Sequence, residues 1–233
     1  MKIKNLSSRI RWYSFQKFGI PKFIGERISK RYISKFLPKK PIIIDCGSHD
    51  GGDSVEWANT LNGAIIHAFE PSPKVYDRLV QNAKLYGNIK CYKLALSDVN
   101  GTAKFYVSDG TSDGSSSLLE PNEHLVDHPG VYFNEVIDVR TITLDDWALQ
   151  NNIQQVDMLW LDMQGFEMQM LKSSKKILQN VKVIHTEVSV KDTYKGVALY
   201  PELRDWLKSI GFTIQLECIP QGFDMGNVLF VRK

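Results

Sequence analysis

The chain has 233 residues, 43% of them hydrophobic and 24% charged, with 29 Lys and Arg against 26 Asp and Glu. That balance belongs to a globular protein and excludes disordered and collagen-like chains. The charge is unevenly placed: residues 1–40 carry twelve bases and one acid, a net +11, and the remaining 193 residues carry seventeen bases and twenty-five acids, a net −8.

The basic stretch, residues 1–40, reads as an arm on a body formed by residues 41–233. No apolar run approaches the ~18 residues of a membrane-spanning helix. The N-terminus MKIKNLSSRIRWYSF places charges where a secretory leader would place its apolar stretch, so the cytoplasm is the expected compartment. Within the arm, Ile24, Ile28 and Tyr32 recur at helical spacing among Trp12, Tyr13, Phe15 and Phe18, which predicts amphipathic helices. Either the apolar side packs on the body with the bases solvated, or the bases face an anionic partner: a nucleotide-sugar diphosphate, the inner face of a phospholipid membrane, or nucleic acid. Cys46, Cys91 and Cys218 lie far apart without C-x-x-C spacing and read as reduced core residues.

From Pro41 onward short apolar runs alternate with helical ones, as in an α/β sheet with crossover helices. The predicted strands are 42–45, 64–69, 89–96, 158–161, 181–187, 212–219 and 228–231, and the predicted helices 54–61, 73–85, 166–179 and 201–210. Ser72-Pro73 supplies a cap and a first-turn proline, and Thr143-Leu144-Asp145-Asp146 resembles a capping box before Trp147. Asn100-Gly101 marks a tight turn, and 136–142 has strand composition, so extra strands extend the sheet or fold over it. Ser108–Ser117 contains only Ser, Asp, Gly and Thr, which predicts a surface loop or a lid.

The segment Ile42-Ile43-Ile44-Asp45-Cys46-Gly47-Ser48-His49-Asp50-Gly51-Gly52 is a buried strand running into a Gly-rich turn, the place where doubly wound sheets bind ligands. Glu70 ends the next strand 23 residues after Gly47, where a carboxylate can accept hydrogen bonds from both ribose hydroxyls. The G-x-G-x-x-G of pyrophosphate-binding turns is absent, and an acid opens the turn instead. A sulfonium and an α-ammonium suit that acid, so S-adenosylmethionine is the expected cofactor.

These residues resemble the FkbM-type S-adenosylmethionine-dependent methyltransferases. The likeness runs from about Pro41 to Val231 through IDCGSHDGGDS, AFEPSP, LALSDVNGTAKFYV, SSSL, TLDDW, VDMLWLDMQGFEMQML and HTEVS in that order. It implies a seven-stranded, doubly wound Rossmann-like sheet with the last strand antiparallel, and O-methylation of sugars or sugar-containing products. It also implies cofactor contacts from Asp45, Gly47 and Gly51, with Ser48-His49 standing where the family usually has Ala-Asn. Glu70 matches the ribose acid, and Ser97 and Asp98 match the region lining the adenine.

A hydroxyl acceptor must lose its proton, which calls for a general base or a metal ion. Asp162 and Glu187 end neighbouring parallel strands on the rim of the cofactor loop, which makes them candidate bases and candidate oxygen ligands for Mg2+ or Mn2+. Asp162 is also a candidate cofactor contact. Glu167 either starts a helix or, as the resemblance implies, belongs to the site; His185 shares a strand face with Glu187 and is either a candidate general base or a buried, hydrogen-bonded strand histidine. His67 reads as structural. His124 and His128 approach an acceptor only if their segment folds over the site, and Lys195 is placed to pair with a substrate phosphate. The leading expectation is an O-methyltransferase acting on a glycan or other sugar acceptor, nucleotide- or lipid-linked. The alternatives are an RNA methyltransferase, which the acidic body and the absence of an Asn/Asp-Pro-Pro-aromatic stretch disfavour, and an inactive membrane- or partner-binding module.

Overall fold

The computed structural model describes residues 22–24 and 27–233. The strands are β1 (Phe23–Ile24), β2 (Arg27–Ile28), β3 (Ile42–Cys46), β4 (Ile65–Phe69), β5 (Ile89–Tyr92), β6 (Ala95–Leu96), β7 (Gly101–Gly110), β8 (Val131–Ile142), β9 (Met158–Leu161), β10 (Val183–Ser189), β11 (Phe212–Cys218) and β12 (Met225–Arg232). The α-helices are α1 (Lys30–Ile33), α2 (Gly52–Thr60), α3 (Pro73–Ala83), α4 (His124–Asp127), α5 (Leu144–Gln150), α6 (Glu167–Ser173) and α7 (Tyr200–Ser209).

Seven strands form the main sheet in the order β11-β12-β10-β9-β3-β4-β5. β3 is parallel to β4 and β9, β9 is parallel to β10, and β12 runs antiparallel between β10 and β11. The expected architecture with an antiparallel last strand is therefore present. Ile43 and Ile44 show why β3 lies at the centre: both are fully buried, and they enter different core clusters. Ile43 packs with Trp57 of α2 and Leu79 of α3; Ile44 packs with Trp147 of α5, Met170 of α6 and Leu207 of α7. The chain leaves β3 toward β4 on one side and meets β9 on the other, so a crevice opens beyond the carboxyl ends of β3 and β9.

Several predicted elements differ. The 89–96 run is two strands: β5 joins the main sheet, and β6 turns away to pair with β8. β8 lies between β6 and β7, so Asn100-Gly101 does not link neighbouring strands. Asn100 instead accepts from Thr143 N at 2.8 Å and donates to Asp146, fastening the start of α5, where Thr143 caps Asp146 N as expected. The helix predicted over 166–179 stops at Ser173, because Ser173 and Ser174 bond back to Met170 O and Asp145 accepts from Lys176 N and Ile177 N, starting a separate 3-10 turn at Ile177–Gln179.

The arm also departs from expectation. Ile24 and Ile28 lie on a two-stranded ladder, Phe23 opposite Ile28, and among the described residues of the arm the α-helix spans Lys30–Ile33. Trp12, Tyr13, Phe15 and Phe18 lie outside the described residues. Ile28, Tyr32 and Ile33 share a core with Trp57 and Trp160, so burial rather than helical periodicity sets this conformation. Among the described residues no helix is long and apolar enough to cross a membrane.

Candidate active site

Beyond β3 the chain turns with Gly47 at φ +78°, His49 at φ +48° and Gly51 at φ +85°. A Cβ on Gly47 would lie 1.8 Å from the Asp162 carbonyl oxygen, and one on Gly51 would lie 2.6 Å from Leu79 Cδ1. Gly47 is therefore required by close backbone packing as well as by its left-handed backbone, and Gly51 by its left-handed backbone. Gly47 N and Ser48 N donate to Phe69 O at 3.1 and 2.9 Å, which ties the turn to the end of β4. There Glu70, buried, accepts from His49 N at 3.1 Å through Oε2 and from Ser72 N at 2.8 Å through Oε1. Burial pushes its carboxyl up to about 8 despite these two bonds.

Gly47, His49, Glu70 and Asp162 line one cavity together with Leu94, Leu96, Phe105 and Phe166. Its acidic middle and apolar end suit a ribose joined to an aromatic base: a carboxylate has about four acceptor positions, and backbone N–H groups fill two of them here. The Ser/Asp/Gly/Thr run lies over the mouth. Its first three residues complete β7, while Asp113 bonds Arg78 at 2.6 Å and His49 Nε2 at 2.8 Å, leaving an enclosed volume of about 50 Å3. Ser117 Oγ donates to Gln164 O at 2.8 Å and holds the far end of the run against the turn after β9.

That turn carries the acids. Gln164 Nε2 donates to Asp162 Oδ1 at 2.8 Å and to Glu187 Oε2 at 2.6 Å, and Gln164 Oε1 faces the Tyr194 hydroxyl at 3.0 Å. Ser115 O faces the same hydroxyl at 2.7 Å, so one phenolic proton serves two acceptors. Burial raises both acids, and the charge of Asp162 raises Glu187 further. Glu167 is buried, with its Oε1 accepting from Met163 N at 2.8 Å and Gly165 N at 3.4 Å. It lines neither this cavity nor the next; it holds the turn that presents Asp162 and Gln164.

A second cavity of about 290 Å3 lies on the other side of Asp162, bounded by Arg27, Lys30, Asp53, Trp160, His185, Glu187 and Asn227 among others. His185 lies flat on Trp160, ring centroids 3.7 Å apart, and burial lowers it to about 3, so it is neutral. Its Nδ1 is buried with no hydrogen-bond partner among the described residues. Lys30, 5% exposed, pairs with Asp53 and Glu56.

Several expected site residues stand behind these cavities. Asp45 is buried and accepts from Ser54 Oγ at the start of α2, and Ser48 Oγ donates to Asp45 O at 2.8 Å. Ser97 Oγ donates to Asp98 Oδ1 at 3.1 Å, whereas Leu94, Ala95 and Leu96 line the wall expected from Ser97 and Asp98. His67 bonds the Tyr92 hydroxyl at 3.0 Å inside the sheet. Lys195 pairs with Glu120 at 2.6 Å, so its charge is met within the chain. The segment with His124 and His128 does fold over the site: with Gln164 and Glu187 these histidines border a third, broader opening.

The expected Mg2+ or Mn2+ does not fit the donor set. An amide N–H, not an oxygen, stands between Asp162 and Glu187, and hard cations take about six oxygens. Among the described residues no three His, Cys, Asp or Glu side chains gather for a metal.

Residues 45–214 match the Methyltransferase FkbM domain. The chain is 29% identical over 208 residues to the 2-O-methyltransferase NoeI of Sinorhizobium fredii, covering 87% of this chain and 84% of NoeI. It is 25% identical to the hexuronic acid methyltransferase AglP of Haloferax volcanii, covering 73% of this chain and 67% of AglP. The magnesium protoporphyrin IX methyltransferase of Synechocystis PCC 6803, solved with bound SAM, shares the fold at a TM-score of 0.50 and 14% identity, over 87% of this chain and 74% of its own. With the matched domain spanning the cofactor turn, Glu70, Asp162 and Glu187, the chain belongs to the FkbM family of methyltransferases.

Proposed function

We propose that this S-adenosylmethionine-dependent methyltransferase transfers the methyl group to a sugar hydroxyl, with Asp162 and Glu187 as the proton-accepting pair. The observation that carries this reading is that Asp162 lines both cavities, so one residue borders the proposed cofactor space and the space beside Glu187 together. The names of NoeI and AglP support the acceptor class.

When bound, S-adenosylmethionine supplies an electrophilic methyl on a sulfonium. On this chain, Gly47 and His49 shape the turn against which the amino-acid part would lie. Glu70 would accept from the ribose hydroxyls, and Leu94, Leu96 and Phe105 would enclose the adenine. The acceptor hydroxyl would donate its proton to the Asp162–Glu187 pair, whose raised affinity for protons brings it closer to an alcohol's range than an ordinary carboxylate. Gln164 and Glu167 orient the pair, and the buried surroundings limit water at the reacting oxygen.

The test is labelled methyl transfer from S-adenosylmethionine to a panel of sugar glycosides, run beside calorimetric titration of the cofactor. Transfer to a glycoside, with cofactor affinity at least tenfold weaker in Glu70→Ala, is expected. Cofactor binding without transfer to any sugar would overturn the acceptor class.

A further inference from the structure

We infer that the cavity between the arm and β9, β10 and β12 is the acceptor site, and that it takes one neutral, hydroxyl-rich sugar ring. The inference rests on the proposed methyl transfer to a sugar and names the place and charge class of that sugar. At about 290 Å3 the cavity has room for roughly ten waters at ~30 Å3 each, the scale of a single hexose rather than an oligosaccharide.

Position comes first. The cavity touches both Asp162 and Glu187, and through Asp162 it adjoins the cofactor cavity. The third opening, by His124 and His128, reaches Glu187 without Asp162. A hydroxyl entering from the arm side therefore meets the whole carboxyl pair beside the cofactor.

Charge fixes the class. Among the described residues two cations, Arg27 and Lys30, face four carboxyl groups, Asp53, Glu56, Asp162 and Glu187, and the Lys30 charge is already met by Asp53 and Glu56. A uronate or phosphate would add negative charge to a wall that itself turns negative once the Asp162–Glu187 pair ionises to accept the proton. A neutral sugar hydroxyl does what the wall asks: it donates to carboxylates and accepts from the Asn227 amide or from Arg27. Ile24 and Ile28, on the arm side, give the ring's C–H face an apolar surface.

Ligand-observed NMR on the full chain saturated with S-adenosylhomocysteine tests this without requiring turnover. The probes are methyl glycosides of neutral hexoses and 6-deoxyhexoses, the matching hexuronic acids, and hexose phosphates. Two filling variants act from different elements: Ile24→Trp on β1, at a 60%-exposed position, and Asn227→Trp on β12. Ser112→Trp fills the third opening instead. The expected result is saturation transfer to neutral glycosides that falls at least fivefold in both filling variants and persists in Ser112→Trp. S-adenosylhomocysteine affinity should stay within twofold throughout, which also reports folding. Preference for the acids or phosphates would overturn the charge class. Loss in Ser112→Trp alone would overturn the location, and binding of no glycoside would overturn the ligand. In each case, intact S-adenosylhomocysteine binding leaves the methyltransferase itself standing.

Discussion

The carboxylates of Asp162 and Glu187 meet on one nitrogen: Gln164 Nε2 donates to both, at 2.8 and 2.6 Å. The geometry joins the residue that follows β9 to one inside the neighbouring strand β10 through a residue of the turn after β9. Gln164 reaches this position at φ +51°, a strained conformation for a non-glycine residue, and the turn is held by Glu167 from below and Ser117 from above. Asp162→Asn and Glu187→Gln are each expected to lower kcat by roughly 10²–10⁴, with cofactor affinity retained. Gln164→Leu isolates the bridge. The amide hydrogen bond favours the ionised form of Asp162, so its removal raises that carboxyl further, and the acid limb of the kcat profile should move to higher pH. A limb that stays in place would separate Gln164 from proton transfer.

The buried acids also set how stability depends on pH. Asp45 and Glu167 are pushed up to about 7 and Glu70 to about 8, each chiefly by burial. Between the ordinary carboxylate range and these values, the folded chain holds protons that the unfolded chain has released. Raising the pH through that window therefore favours unfolding. The cofactor-free protein should show a Tm that falls from about pH 5 to about pH 8. Glu167→Gln keeps an oxygen for Met163 N and Gly165 N but cannot ionise, so thermal unfolding across that range should show a flatter decline. A Tm that rises with pH in the wild-type chain would contradict this account.

Much of the sheet was legible because apolar runs such as Ile42–Ile44 and Met158–Leu161 are buried on both faces and end in turn residues, a pattern that survives without tertiary information. Glu70, Asp162 and Glu187 were legible for the same reason: each follows or ends such a run. Gln164 was not, because its role depends on two strands meeting across the sheet, and a Gln-Gly pair in sequence announces only a turn. Lys30 looked like one of twelve similar bases; nothing local says that it would be buried against Asp53, Glu56 and Trp160. Ile24 and Ile28 misled for the converse reason: helical spacing over so few residues is a weak constraint, and pairing plus burial of Ile28 overrode it.

Lys30 is the polar fastening between the arm and the body. Its ammonium lies 4.4 Å from the centre of the Trp160 ring and bonds two carboxylates of α2. Lys30→Met preserves the apolar stem and removes the charge, leaving Asp53 and Glu56 without their cation. Removing one partner of a fully buried pair costs about 3–5 kcal/mol. Glu56 is half-exposed and rehydrates, so a smaller loss of roughly 1–3 kcal/mol is expected. Urea unfolding measures it directly. A change within ±0.5 kcal/mol, the range of an ordinary surface substitution, would show that the arm is held by Ile28, Tyr32 and Ile33 alone.

Asp113 lines the cavity proposed for the cofactor. It reaches from the Ser/Asp/Gly/Thr run to Arg78 and His49, and the space enclosed beneath it is too small for a nucleoside. The contacts that close it are all substantially exposed. Exposed ion pairs are worth about 0.2–1 kcal/mol, so opening is inexpensive, and removing the pairs should speed exchange only modestly. In Asp113→Ala the association and dissociation rates of S-adenosylhomocysteine are both expected to rise about two- to fivefold, with little change in their ratio. Stopped-flow fluorescence measures both rates, and Arg78→Ala should act in the same direction because it removes the other end of the same pair. Unchanged rates in both variants would mean that the ligand enters without displacing this run. A rise in the dissociation rate alone would mean that Asp113 holds the bound ligand instead of gating it.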